Sequence, residues 1–170
     1  MSEAGSDFAA RHGVRALSRL TVTNDEVASL ITDRLAERIE GRSVVEIGAG
    51  IGLLSLHMAR VARKVIYIKA NTLWASAFVE LLFKRKPANV SYIFGAASEF
   101  FGVIEAHVAV FATHSGVSAM TALAGRFAPA VIDIYGKMIT ENPQAFDPVA
   151  REAVGTPSNA EYAWRRKEAL

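Results

Sequence analysis

The spacing of apolar positions changes several times along this chain, and each change marks an element. Val27, Leu30, Ile31, Leu35 and Ile39 recur at helical intervals. They follow Thr23-Asn24-Asp25-Glu26, a capping-box sequence, and precede Gly41, a natural helix stop. Residues 43–47, with Val44, Val45 and Ile47, predict a buried strand, and residues 51–63 predict the helix after it. Lys-Val-Ile-Tyr-Ile at 64–68 is rich in β-branched and aromatic residues and predicts a second strand. Thr72 is positioned to cap a helix reaching Phe83, with Leu73, Trp74, Ala77, Phe78, Leu81 and Leu82 inward. After the turn Pro87-Ala88-Asn89, strands are expected at 90–94, 107–112 and 130–135, with a small-residue helix at 115–124. Strands that alternate with helices imply parallel βαβ units covered on both faces, an α/β fold.

Beyond Gly136 the pattern weakens. Pro143, Pro148, Gly155 and Pro157 interrupt it, and 161–170 is expected to be a terminal helix. No pair of strands is legible there. The reading is thus an N-terminal arm at 1–22, a nucleotide-fold domain at 23–136, and an unassigned extension at 137–170. The first of these holds scattered apolar positions and three arginines, as a flexible arm or short helix would.

Composition narrows the class. The chain has 170 residues, 51% of them hydrophobic, and a mean hydropathy of +0.22, which fits one domain with a substantial core. Nineteen basic and 17 acidic residues nearly balance, so the pI of 9.0 is no nucleic-acid footprint. Zero cysteines exclude disulfides, thiolate metal sites and a cysteine nucleophile. No apolar run is long enough to span a bilayer, and the N-terminus, with Glu3 and Asp7, does not read as a signal peptide, so a soluble cytoplasmic protein is expected. His12, His57, His107 and His114 lack metal-ligand spacing, and no metal is expected.

Chemistry concentrates at Val44-Val45-Glu46-Ile47-Gly48-Ala49-Gly50-Ile51-Gly52. Glycines at every second position after a strand allow a tight turn and close approach of a ligand to main-chain N–H groups. The dinucleotide fingerprint G-x-G-x-x-G would need glycine at 53, where the chain has Leu53. E-x-G-x-G-x-G instead resembles motif I of the Rossmann-like S-adenosylmethionine (SAM) methyltransferases. Over 44–59 it is most similar to the rRNA adenine dimethyltransferase branch. The resemblance implies an open, mainly parallel sheet of order 3-2-1-4-5, with the C-terminal strands of the family shortened. It also implies SAM as cofactor, packed by its methionine and ribose parts against Glu46, Gly48, Ala49, Gly50 and Gly52.

Later motifs depart from the family. Where a ribose-binding acid is expected, seventeen residues after Gly52, the chain has Lys69, which is donor-only. Asn71 is the nearest residue with an acceptor oxygen to offer instead. Gly95-Ala96-Ala97 resembles the family's Gly-Asp-Ala, but Ala96 lacks the acid that reads adenine, leaving Ser98 or Glu99 to compensate. Phe111-Ala112-Thr113-His114-Ser115-Gly116 lacks the proline, amide and aromatic of the adenine methylases. His114 is therefore either a general base or a loop residue preceding the next helix. A Ser-His-Asp triad of Ser115, His114 and Asp133 lacks the nucleophile elbow and is set aside. Arg165-Arg166-Lys167 beside Tyr162 and Trp164 is either a solvated run or a contact for RNA or a partner.

Three readings follow. The first is a SAM-dependent methyltransferase acting on a small or unidentified acceptor, with Lys69 and Asn71 near the ribose, Ala96 in the adenine part of the pocket and His114 near the methyl group. The second is a catalytically inactive methyltransferase-fold scaffold, able to form a homo-oligomer through an open sheet edge. The third is an NADP-type nucleotide-binding protein, prompted by Lys69 and opposed by Leu53.

Overall fold

The computed structural model describes residues 10–11, 24–48, 50–112, 126–134, 146–153 and 160–166. The first long helix, α1 (Asp25–Ile39), is capped one residue later than expected. Asn24, not Thr23, is its N-cap, and its side-chain oxygen accepts the Val27 N–H at 2.8 Å. Ala28, Ile31, Leu35 and Ile39 form its buried stripe. Gly41, with φ of 65°, ends the turn that follows.

Strand β1 (Ser43–Ile47) is buried throughout and lies between two parallel neighbours, β2 (Lys64–Lys69) and β4 (Val108–Phe111). Short helix α2 (Leu53–Met58) connects β1 to β2, and α3 (Thr72–Arg85) connects β2 to β3 (Val90–Phe94). β5 (Ala130–Asp133) pairs parallel to β4. The order β3-β2-β1-β4-β5 is the expected 3-2-1-4-5 of an open Rossmann-like α/β sheet. One core lies between the sheet and α1, α2 and α3, around Val44, Val65, Tyr67 and Phe78. The other face buries Val45, Ile47, Ala109 and Phe111 with Ala97 and Phe127.

Three expectations are corrected. The helix predicted at 51–63 is only six residues long, because Gly50 and Gly52 hold positive φ before it and Asn89 closes it at the other end. The Asn89 amide donates to the carbonyls of Ala59 and Ala62, at 2.8 and 2.9 Å. Thr72 is the first residue of α3 and Asn71 its cap. The third correction concerns the C-terminal region, where 161–170 was expected to be helical and the late strands shortened. β6 (Phe146–Ala153) and β7 (Ala160–Arg166) instead form an antiparallel pair. β7 then pairs antiparallel to β5, extending the order to β3-β2-β1-β4-β5-β7-β6.

The alternation of Tyr162 and Trp164 with Glu161, Ala163 and Arg165 fits a period of two better than of 3.6. Pro148 is tolerated because β6 is the outer strand and carries a register shift between Pro148 and Ala150. β5 is therefore an inner strand, and the outer strands of the described sheet are β3 and β6. The helix expected at 115–124 lies outside the described residues.

Candidate functional site at the carboxyl ends of β1 to β3

Strand order reverses between β1 and β4, so the crevice where such folds bind ligands opens at the carboxyl end of β1. The glycine loop lies there. Gly48, Gly50 and Gly52 have φ of 88°, 57° and 79°, a region that side-chain-bearing residues rarely enter. Gly52 is required twice over, since a Cβ there would lie 2.2 Å from Cδ2 of Phe78. The loop is held from beneath by Tyr67, whose hydroxyl donates to the Gly50 carbonyl at 2.7 Å. Tyr67 in turn packs on Phe78 and Tyr92, with ring centroids 4.0 and 5.6 Å away. Burial pushes the Tyr67 phenol up, and the nearby Glu46 charge adds to that, so it stays a protonated donor. Ala49 lies outside the described residues.

Glu46 lies in β1, in register with Tyr67 of β2 and Val110 of β4. It is 0% exposed. Ser55 of α2 donates to its Oε2, while Oε1 is buried with no hydrogen-bond partner among the described residues. Burial raises the carboxyl pKa to about 8, against the lowering effects of Ser55 and of the Lys69 charge. Glu46 Oε1 is thus a buried acceptor left unsatisfied next to the glycine loop.

The ends of β2 and β3 differ. Lys69 is half-buried; burial lowers its pKa and the opposing charge of Glu46 partly restores it. Its carbonyl accepts the Gly95 N–H at 3.1 Å. Asn71 is exposed, and its side-chain oxygen accepts the Trp74 N–H at 3.2 Å, so that acceptor is engaged in capping α3. Ala96 precedes a 3-10 turn, Ala97–Phe100, and the Glu99 carboxylate folds back to accept the Ala96 N–H at 3.3 Å. The structure thus brings Glu46, Gly48, Gly50, Gly52 and Lys69 together, with Asn71 and Ala96 at the rim. His114 lies outside the described residues.

The remaining histidines that the structure describes have structural partners. His57 is half-buried on α2, its Nε2 2.9 Å from Oδ1 of Asp25, which also takes Arg85 at 2.8 Å. Burial raises the Asp25 pKa, but the bonds from His57 and Arg85 outweigh it and the net shift is downward. His107 joins the amino ends of β1 and β4, with Nδ1 2.6 Å from Oγ of Ser43. Among the described residues no group of three His, Asp or Glu side chains is placed to hold a metal ion, and no helix is long and apolar enough to cross a membrane. Sequence reasoning missed Ser55 and Tyr67. Only their positions, nine and twenty-one residues after Glu46, hinted at a role, and neither spacing has a local meaning.

No family model matches the sequence, and no curated protein is similar to it in sequence. Solved structures are similar in fold. An RNA methyltransferase candidate from Pyrococcus horikoshii aligns with a TM-score of 0.65 at 17% identity, over 98% of this chain and 97% of its own. TYW2 of M. jannaschii, solved in complex with AdoMet, gives 0.61 at 13% identity, over 88% of this chain and 80% of its own. Trm5b of Pyrococcus abyssi gives 0.61 at 16%, over 79% of this chain, which spans 47% of that protein. At these identities the likeness is one of fold, the Rossmann-like fold of methyltransferases.

Proposed function

We propose that this chain binds SAM at the carboxyl end of β1 and transfers its methyl group to an acceptor that is not yet identified. The observation that carries this reading is Glu46: a fully buried acid with one free oxygen, beneath three positive-φ glycines, at the switch point of the sheet. These residues fit the cofactor. The glycine loop offers main-chain groups without side chains in the way, and Glu46 offers an acceptor to a cationic amino-acid end. Bound SAM supplies the electrophilic methyl group. The chain supplies binding and orientation, which for a methyl transfer is the larger part of catalysis. His114 is our candidate base on the acceptor side. RNA is the first acceptor class to try, since an RNA methyltransferase candidate shares the fold.

Isothermal titration with SAM, S-adenosylhomocysteine and NADPH tests the reading. Micromolar binding of the first two, abolished by Gly50→Val, is the expected result. A folded protein that gives no heat with either would end it.

A second reading, a methyltransferase-fold binding protein without catalysis, is favoured by Lys69 and by the engagement of Asn71 and Glu99 within the protein. SAM binding with no transfer of labelled methyl to RNA or small acceptors would select it. The NADP-type reading is tested by the NADPH arm, and Leu53, where the dinucleotide fingerprint needs glycine, speaks against it.

A further inference from the structure

Glu46 and Lys69 are not used by the proposed chemistry beyond binding, yet their arrangement has a consequence for it. Burying a carboxyl group completely without pairing it to a cation is costly unless the group is neutral. Ser55 engages one oxygen only. Lys69, whose charge acts on Glu46 from the next strand, makes no ion pair with it among the described residues. The other groups facing the carboxyl are the Tyr67 hydroxyl, turned to the Gly50 carbonyl, and Val110 of β4. The site therefore has an unfilled acceptor and a nearby cation that does not fill it.

We propose that the Glu46 carboxyl is protonated in the empty site and gives its proton to solvent when a ligand ammonium group takes its place at Oε1. This rests on the reading of the site as one for SAM and concerns the chain's own acid. In the exchange the carboxylic O–H breaks, the proton leaves to buffer, and the ligand arrives with its N–H donors already in place. Net charge at the carboxyl is thus conserved, as a neutral acid becomes a carboxylate paired with a cation. Glu46 titrates near 8, so at neutral pH the proton is there to be lost. Burial holds the proton on, while the Ser55 hydroxyl and, after it, the Lys69 charge ease its loss. Oε1 is out of contact with solvent, and the Tyr67 hydroxyl holds the Gly50 carbonyl beside it.

The test is titration of the full chain with S-adenosylhomocysteine at pH 7 in phosphate and in Tris, whose heats of ionisation differ. The expected result is a buffer-dependent heat equivalent to about one proton released per ligand, with affinity rising up to about tenfold per pH unit below pH 8. Methylthioadenosine, which lacks the ammonium group, should bind with the same heat in both buffers. Glu46→Gln should bind S-adenosylhomocysteine more weakly and without buffer dependence. Buffer-independent heat in the unmodified protein, or proton release that persists in Glu46→Gln or with methylthioadenosine, overturns the proposal while leaving the cofactor site intact. Absence of S-adenosylhomocysteine binding at any pH overturns the SAM reading, and this proposal with it.

Discussion

The carboxyl end of β1 and the carboxyl ends of β2 and β3 border the same crevice but treat their polar groups in opposite ways. At β1 the acid keeps one oxygen free and the loop above it is glycine. At β2 and β3 the acceptors are already engaged: Asn71 caps α3, Glu99 folds onto Ala96, and the Lys69 carbonyl takes Gly95. A polar group satisfied by its own chain has little to offer a ligand, since the exchange of one hydrogen bond for another nets little. On the proposed reading, variation at the β2 and β3 ends is expected to change stability more than affinity, and variation at β1 the reverse.

The most severe way to break this contrast is Gly52→Val. It combines a φ of 79° with a Cβ that would lie 2.2 Å from Phe78, and should destabilise the fold by about 3 kcal/mol or more in urea denaturation. A Phe78→Ala background should recover only the steric part, leaving the backbone strain.

Glu46→Gln should have the opposite sign. The folded pKa of about 8 lies above the ordinary 4.5, so between these values the folded chain holds a proton that the unfolded chain has released. Stability consequently falls as pH rises from about 4.5 to about 8. Glutamine, which keeps an oxygen for Ser55, removes that dependence and should stabilise the protein on the order of 3 kcal/mol at pH 7. Melting curves at pH 5 and 8 that remain as far apart in the variant as in the parent would contradict this.

Smaller effects sharpen the other half of the contrast. Asn71→Ala should lose about 1 kcal/mol through the cap of α3 and leave S-adenosylhomocysteine affinity unchanged. Asn71→Asp should restore the stability. Glu99→Ala should change stability by less than about 0.5 kcal/mol and affinity not at all. A tenfold loss of affinity in that variant would show that Glu99 leaves Ala96 to meet the ligand.

Much of the parallel sheet was legible because its strands carry local signals. Ser43–Ile47 and Val90–Phe94 follow the apolar runs residue for residue, and the glycine spacing located the crevice. What was not legible depends on contacts distant in sequence. Nothing near α2 announces that Asn89, some thirty residues on, stops the helix after Met58. Tyr67 reads locally as a strand aromatic, and its bond to Gly50 exists only once β2 lies beside β1. The C-terminal strands were hidden because Pro148 and the register shift beside it break the period that a strand would show. Asn71 reads as a residue just past β2, and its use in capping depends on where α3 begins, a matter of one residue.

The position of β7 also sets an order of assembly. It is the last in sequence of the described strands, yet it lies between β5 and β6. While the protein is being synthesised, β5 and β6 emerge before the strand that joins them, so neither can complete its pairing until residues 160–166 have left the ribosome. The parallel half can close early around β1, but the other flank stays adhesive until residues 160–166 emerge. In a crowded nascent-chain environment, that interval is when this protein is most exposed to pairing with the wrong strand.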